Sequence, residues 1–231
     1  GVVLLITTAI LRIFWKEIAE ANKSGDLDYV RFLYLKTFRL VYFAGCSFVG
    51  LLVPWTDEIV YLLLGEEYVD GSIALMIMLF YPVHQALGQI NAAMYYATEN
   101  VVPHIAIGSF FMLLGLGASY FALAPQDAYI PGMSLGASGL AVKMVLIQVI
   151  CVNVSSLFLA YKFKWKYQFS FQFSTLGFFV GAGFIVHYLC VLVLGSFLST
   201  SGIMFMALIC YIILSGMGIF FSPAMTGLTQ D

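Results

Sequence analysis

The stretch Ile73–Ala97, IALMIMLFYPVHQALGQINAAMYYA, contains no Asp, Glu, Lys or Arg. At about 1.5 Å of rise per residue, so long a run crosses the ~30 Å hydrocarbon core of a bilayer and reads as a transmembrane helix. Pro82, His84, Gln85, Gln89 and Asn91 interrupt it. At roughly 100° per residue, His84, Gly88 and Asn91 share one stripe and Gln85 and Gln89 form the next. About half the circumference is therefore polar. Lipid cannot hydrogen-bond these groups, so this half is expected to face other helices or a wet cavity. Pro82 lacks a backbone donor and is expected to kink the helix one turn before the polar cluster.

The rest of the chain has the same character. It has 231 residues, 62% hydrophobic and only 10% charged, with a mean hydropathy of +0.98. A soluble domain carries roughly 25% charged residues. The expected fold is all-α, a polytopic transmembrane helix bundle of about seven helices, the first truncated. The spans read as 1–15, 33–54, 73–97, 103–124, 136–161, 171–197 and 202–221. The opening run lacks a basic leader and a small-residue cleavage site, and is too short to span. It is expected to be the end of a helix begun upstream in a longer protein, of which residues 1–231 form the C-terminal bundle.

Between the spans lie a charged elbow, KEIAEANKSGDLDYVRFLYLKTFRL (16–40), with a turn and helix-start signal at Ser24-Gly25-Asp26. The segment WTDEIVYLLLGEEYVDG (55–71) carries acids and no base, and its IVYLLL is too short to cross, so it is expected in the interface. Assigning loops alternately puts Arg12, Lys16, Lys23, Arg31, Lys36, Arg39, Lys162, Lys164 and Lys166 on one side. Positive-inside makes that side cytoplasmic, together with the tail Ser222–Asp231, in a multi-pass protein of the cell membrane. Glycines at 108, 115 and 117, and at 177, 181 and 183, are expected to allow close helix contacts.

Lys143 is the base that no cytoplasmic loop claims, roughly 10 Å into its span from the external end. A charge at that depth points to an anion-binding group in a cavity. The alternative is a stem that lifts its ammonium to the external headgroups. His84, Gln85, Gln89 and Asn91 line a pathway for a polar substrate, or else join packed helices by hydrogen bonds. Gln148, Cys151 and Ser155 share a face, as do Asn153 and Ser156, and read as packing contacts. His187, alone on an apolar helix, reads as an interior or interfacial histidine. Cys46, Cys151, Cys190 and Cys210 have no CxxC spacing and read as apolar fillers.

No HExxH, GxSxG, Walker loop or paired carboxylate occurs, and no Asp or Glu falls deep in a span. No catalytic residue, metal, cofactor or nucleic-acid partner is expected. Transport is the class that remains.

Three segments carry a resemblance. They are LRIFWKEIAEANKSGD with the following DYVRFLYLKTFRL, then PWTDEIVYLLLGEEYVDG, then LGASGLAVKMVLIQVICVN. In this order they resemble the C-terminal half of oligosaccharide-lipid and polysaccharide flippases of the multidrug/oligosaccharidyl-lipid/polysaccharide exporter superfamily. The resemblance implies one half of a two-bundle transporter, rocking to give alternating access. It implies a lipid-linked saccharide as substrate, and membrane lipids and the N-terminal bundle of the same protein as partners. Lys143 departs from the pattern, which is small and apolar there. The competing expectations are a cation-coupled multidrug exporter of the same superfamily, which would want a buried carboxylate, and a non-catalytic membrane subunit of a glycan synthase.

Overall fold

The structure, a computed structural model, describes residues 14–221. The described part of the first helix, α1, covers residues 14–24. The remainder of the expected opening span, Arg12 and the polar tail lie outside the described residues. Then follow α2 (Leu27–Leu52), α3 (Thr56–Leu64), α4 (Ser72–Met78), α5 (Tyr81–Ala97), α6 (Val101–Leu123), α7 (Gly136–Lys162), α8 (Phe169–Leu194) and α9 (Thr200–Phe221). There is no strand among the described residues. Six stretches among them are long and apolar enough to cross a membrane. The chain is an all-α polytopic bundle.

Local chemistry sets the boundaries. At the elbow, Gly25 takes φ +79°, and the Asp26 N–H reaches back to the Ala21 carbonyl at 3.0 Å, closing α1 with a left-handed cap. The Asp26 carboxylate then accepts from the Tyr29 N–H at 3.0 Å and starts α2. The turn after α5 is closed by the Asn100 N–H on the Tyr95 carbonyl at 2.8 Å. The loop after α6 folds back on its own helix end: the N–H groups of Met133 and Leu135 bond the carbonyls of Phe121 and Ala122 at 2.8 and 2.9 Å. Gly132 passes so close to Ala124 that a Cβ there would collide with its carbonyl.

The interrupted span differs from expectation in degree. It does not kink at Pro82 but breaks into α4 and α5 across Leu79–Phe80. Pro82 sits in the first turn of α5, where its missing N–H costs nothing. A turn closed by the Phe80 N–H on the Ile77 carbonyl at 3.2 Å separates the two pieces.

Packing has two centres, α2 and α7. Helix α2 lies between α8 and α5, and α7 takes α4, α5 and α6; α9 adds to the outside of α8. At the α2–α8 crossing the backbones pass in contact at Gly50 and Gly183: a Cβ on Gly183 would strike the Gly50 carbonyl, and one on Gly50 would strike the Phe179 carbonyl. Of the expected small-residue contacts only part is used. Gly108, Gly117, Gly177 and Gly181 face open space, whereas Gly115 and Gly183 meet a neighbour. The core is built of Ile18, Val30, Phe38, Tyr42, Leu87, Met94, Leu159 and Phe179, among others.

The alternation of helices gathers Arg31, Lys36, Arg39, Lys162, Lys164 and Lys166 at one end of the bundle. Two contacts pin this end: Arg39 donates from Nε and Nη2 to Gln168 Oε1 at 3.1 and 2.9 Å, and Lys162 donates to Asn100 Oδ1. The opposite end carries α3 and its acids. There His187 does not stand alone: its Nε2 lies 3.6 Å from Glu58 Oε1, and its ring meets Trp55 edge-on at 4.4 Å. On α3, Tyr61, Leu62, Leu63 and Leu64 are all exposed, the composition of a segment lying in an interface.

Candidate functional site

Helix α5 has two polar stripes, and the fold separates them. The stripe of His84 and Asn91 turns inward. Asn91 is 1% exposed, and its side chain ties three helices together. Its Oδ1 accepts from the Tyr34 hydroxyl of α2 at 2.7 Å, while its Nδ2 donates to Ser156 Oγ at 2.9 Å and the Val152 carbonyl at 3.1 Å on α7. A buried carboxamide in lipid-facing helices is tolerated when every atom is paired in this way. His84 is also buried, with Nδ1 3.1 Å from the Phe80 carbonyl and its ring edge-on to Tyr42 at 6.0 Å. Both residues therefore face away from any open space, on the packing side of the alternatives the sequence left.

The stripe of Gln85 and Gln89 faces a groove between α5, α6 and α7. The groove has two sections, of about 390 and 300 Å³, adjoining across Tyr81, Gly108, Gln148 and Cys151, which line both. Gln85, Gln89, His104 and Ser155 border the smaller section. Lys143, Gly115 and Ser119 border the larger. Volumes of this order suit small-molecule groups, for which pockets run roughly 300–1,000 Å³.

Lys143 is half-buried, and the end of its side chain lies against α6 at Gly115: a Cβ added there would sit 3.7 Å from Nζ. No carboxylate approaches within ion-pair distance of Lys143 among the described residues. It is the sole Lys, Arg, Asp or Glu in the groove lining, whose other polar members are amides, hydroxyls, the His104 imidazole and the Cys151 thiol. An ammonium sharing its section with the Gln148 carboxamide can hold an anion as a point charge, while the amides of Gln148 and of the adjoining section bond hydroxyl or carbonyl groups attached to it.

The structure thus sets Lys143 on one section of the groove and Gln85 and Gln89 on the adjoining one, with Gln148 lining both, and keeps His84 and Asn91 out of either lining. Three residues read from sequence as packing contacts, Gln148, Cys151 and Ser155, line the groove. The reason is the close approach of α5 and α7 at Gly88: a Cβ there would lie 3.2 Å from Val152 and 3.4 Å from Gln148 Nε2, so Gln148 lies at the seam and reaches the groove floor. Asn153 and Ser156 do make contacts between helices. Asn153 accepts from Gln172 Nε2 at 3.1 Å and from the Tyr167 hydroxyl, whose pKa burial pushes up.

His104 was missed altogether. It lies one turn into α6, stacked on Tyr95 at 5.1 Å with Tyr96 edge-on at 5.5 Å, and it borders the end of the groove remote from Lys143. A histidine directly after Pro103, in the first turn of an apolar span, was the available signal. All four cysteines are free thiols, and no cluster of metal-ligating side chains occurs among the described residues. No protein-family model, curated protein or solved structure matches the chain.

Proposed function

We propose that the chain is one half of a two-bundle membrane transporter that flips a lipid-linked oligosaccharide or polysaccharide precursor across the cell membrane by alternating access. In this reading the groove between α5, α6 and α7 faces the passage shared with the other bundle, and the basic end, with the C-terminus, lies in the cytoplasm. Lys143 holds the negative linkage group, and Gln85, Gln89 and Gln148 bond the hydroxyl-rich saccharide as it passes.

The observation that supports the reading is an ammonium at bilayer depth with no carboxylate partner among the described residues, open to a groove whose adjoining section is lined by Gln85 and Gln89, with Gln148 common to both. It favours an anionic substrate over the cation-coupled drug exporter, since the groove lining holds no carboxylate to bind a coupling cation. The non-catalytic synthase subunit is the reading that an activity test removes. The test is a lipid-linked sugar translocation assay on the intact protein in vesicles. Lys143→Ala is expected to cut the translocation rate by about tenfold or more, as befits a charged hydrogen bond worth roughly 1.5–3 kcal/mol. Lys143→Glu should cut it further. Full activity in both variants, inserted at normal level, overturns the proposal.

A further inference from the structure

The basic end of the bundle has a surface that the groove does not involve. Between α7 and α8 the chain reads YKFKWKYQF (161–169), a strict alternation of aromatic residues and bases up to Tyr167. The structure sorts the alternation into two faces. Trp165 is buried, stacked on Tyr34 of α2 at 5.2 Å and on Phe163 at 5.1 Å, and its N–H bonds the Ala160 carbonyl at 3.0 Å. Lys164 takes φ +56° to make the reversal. Trp165 is thereby pinned under the helix ends with Phe163 stacked against it, and Lys162, Lys164 and Lys166 are left exposed, as is Tyr161.

Helix α2 extends this face. Lys166 borders the same crevice as Leu35, and Arg31 lies one turn before Leu35 on the same stripe, with Lys36 next to it. Not all the bases are available. Arg39 is committed to Gln168 and lies over the Phe171 ring at 5.5 Å, and Lys162 is committed to Asn100. Arg31, Lys36, Lys164 and Lys166 are exposed and have no carboxylate within ion-pair distance among the described residues. The acids at this end are Glu17 and Glu20 on α1 and Asp26, Asp28 and Glu99 at helix starts and turns; Glu20 lies 3.9 Å from Lys16 and Asp26 is occupied as a cap.

Exposed aromatic residues border the unpaired bases. Tyr161 is 85% exposed, Phe169 52% and Phe173 63%, and Lys36 lies over the Phe32 ring at 5.4 Å. A soluble anion would need the bases alone. Exposed cations interleaved in sequence with exposed rings, one of them, Lys36, lying over Phe32, match a phosphate above an acyl chain, with aromatics at the boundary between them. We infer that Arg31, Lys36, Lys164 and Lys166 form a docking surface for the headgroups of anionic phospholipids in the leaflet at the basic end. The inference is independent of what passes through the groove.

The test uses the full chain reconstituted in phosphatidylcholine bilayers, with electron spin resonance of spin-labelled phosphatidylglycerol and spin-labelled phosphatidylcholine as the probe. The expected result is a several-fold preference of the protein-bound lipid population for phosphatidylglycerol, shrinking as salt is raised. Lys164→Glu with Lys166→Glu should abolish it, and Lys164→Arg with Lys166→Arg should keep it. Equal association of the two lipids, a preference that survives the glutamate pair, or a preference lost in the arginine pair each overturns the inference. So does displacement by inorganic phosphate at matched ionic strength, which would assign the surface to soluble anions.

Discussion

His84 and Gln85 are neighbours in sequence, yet one is sealed between helices and the other borders a groove. The same division separates Asn91 from Gln89. On the inward stripe every polar atom of Asn91 has a partner on α2 or α7; on the groove stripe no protein partner within hydrogen-bonding distance holds Gln85 or Gln89 among the described residues. A carboxamide paired by its own protein is part of the scaffold. One left open in a groove that also holds an ammonium is available to something else.

The comparison can be broken at several points. The largest effect belongs to Leu87, fully buried between the inward residues. Leu87→Ala should cost about 2 kcal/mol or more, read as reversible unfolding in detergent, because the cavity it leaves cannot be filled by water or lipid. Asn91→Leu comes next. It leaves the Tyr34 and Ser156 hydroxyls only each other, at 3.5 Å, and should cost roughly 1–3 kcal/mol. A cycle with Tyr34→Phe should return a coupling of about 0.6 kcal/mol or more. A zero coupling would show that the Tyr34–Asn91 bond holds nothing.

Gly88 tests the seam between the stripes. Gly88→Ala puts a methyl 3.2 Å from Val152 and 3.4 Å from Gln148, and a loss of about 1 kcal/mol is expected as α7 gives way. Gln85→Leu and Gln89→Leu sharpen the contrast from the other side. Each should alter stability by no more than about 0.5 kcal/mol, while lowering translocation in the vesicle assay. A stability loss equal to that of Asn91→Leu would erase the distinction between the two faces.

Much of this was legible in the chain itself. The turn at Ser24-Gly25-Asp26, the span beginning at Gly136 and the acidic segment after α2 follow from turn chemistry and apolar length, which act locally. Helix rotation was harder. Helices α6, α7 and α8 are apolar almost all round, so periodicity does not say which stripe meets a neighbour; hence Gly183 makes the close contact and Gly177 and Gly181 do not. Gln148 shows the same limit, since its place depends on a glycine of another helix 60 residues away in sequence. For α5 the two stripes were readable, but which was sealed depended on where α2 came to rest.

The break at Leu79–Phe80 has one more consequence. An unbroken helix would carry torque from the acidic mouth straight down to Gln85 and Gln89, but α4 and α5 share no continuous ladder of backbone bonds across the turn. Both pieces rest instead on α7. The two halves of this span are therefore joined more side-on, through the helix that bears Lys143, than end to end.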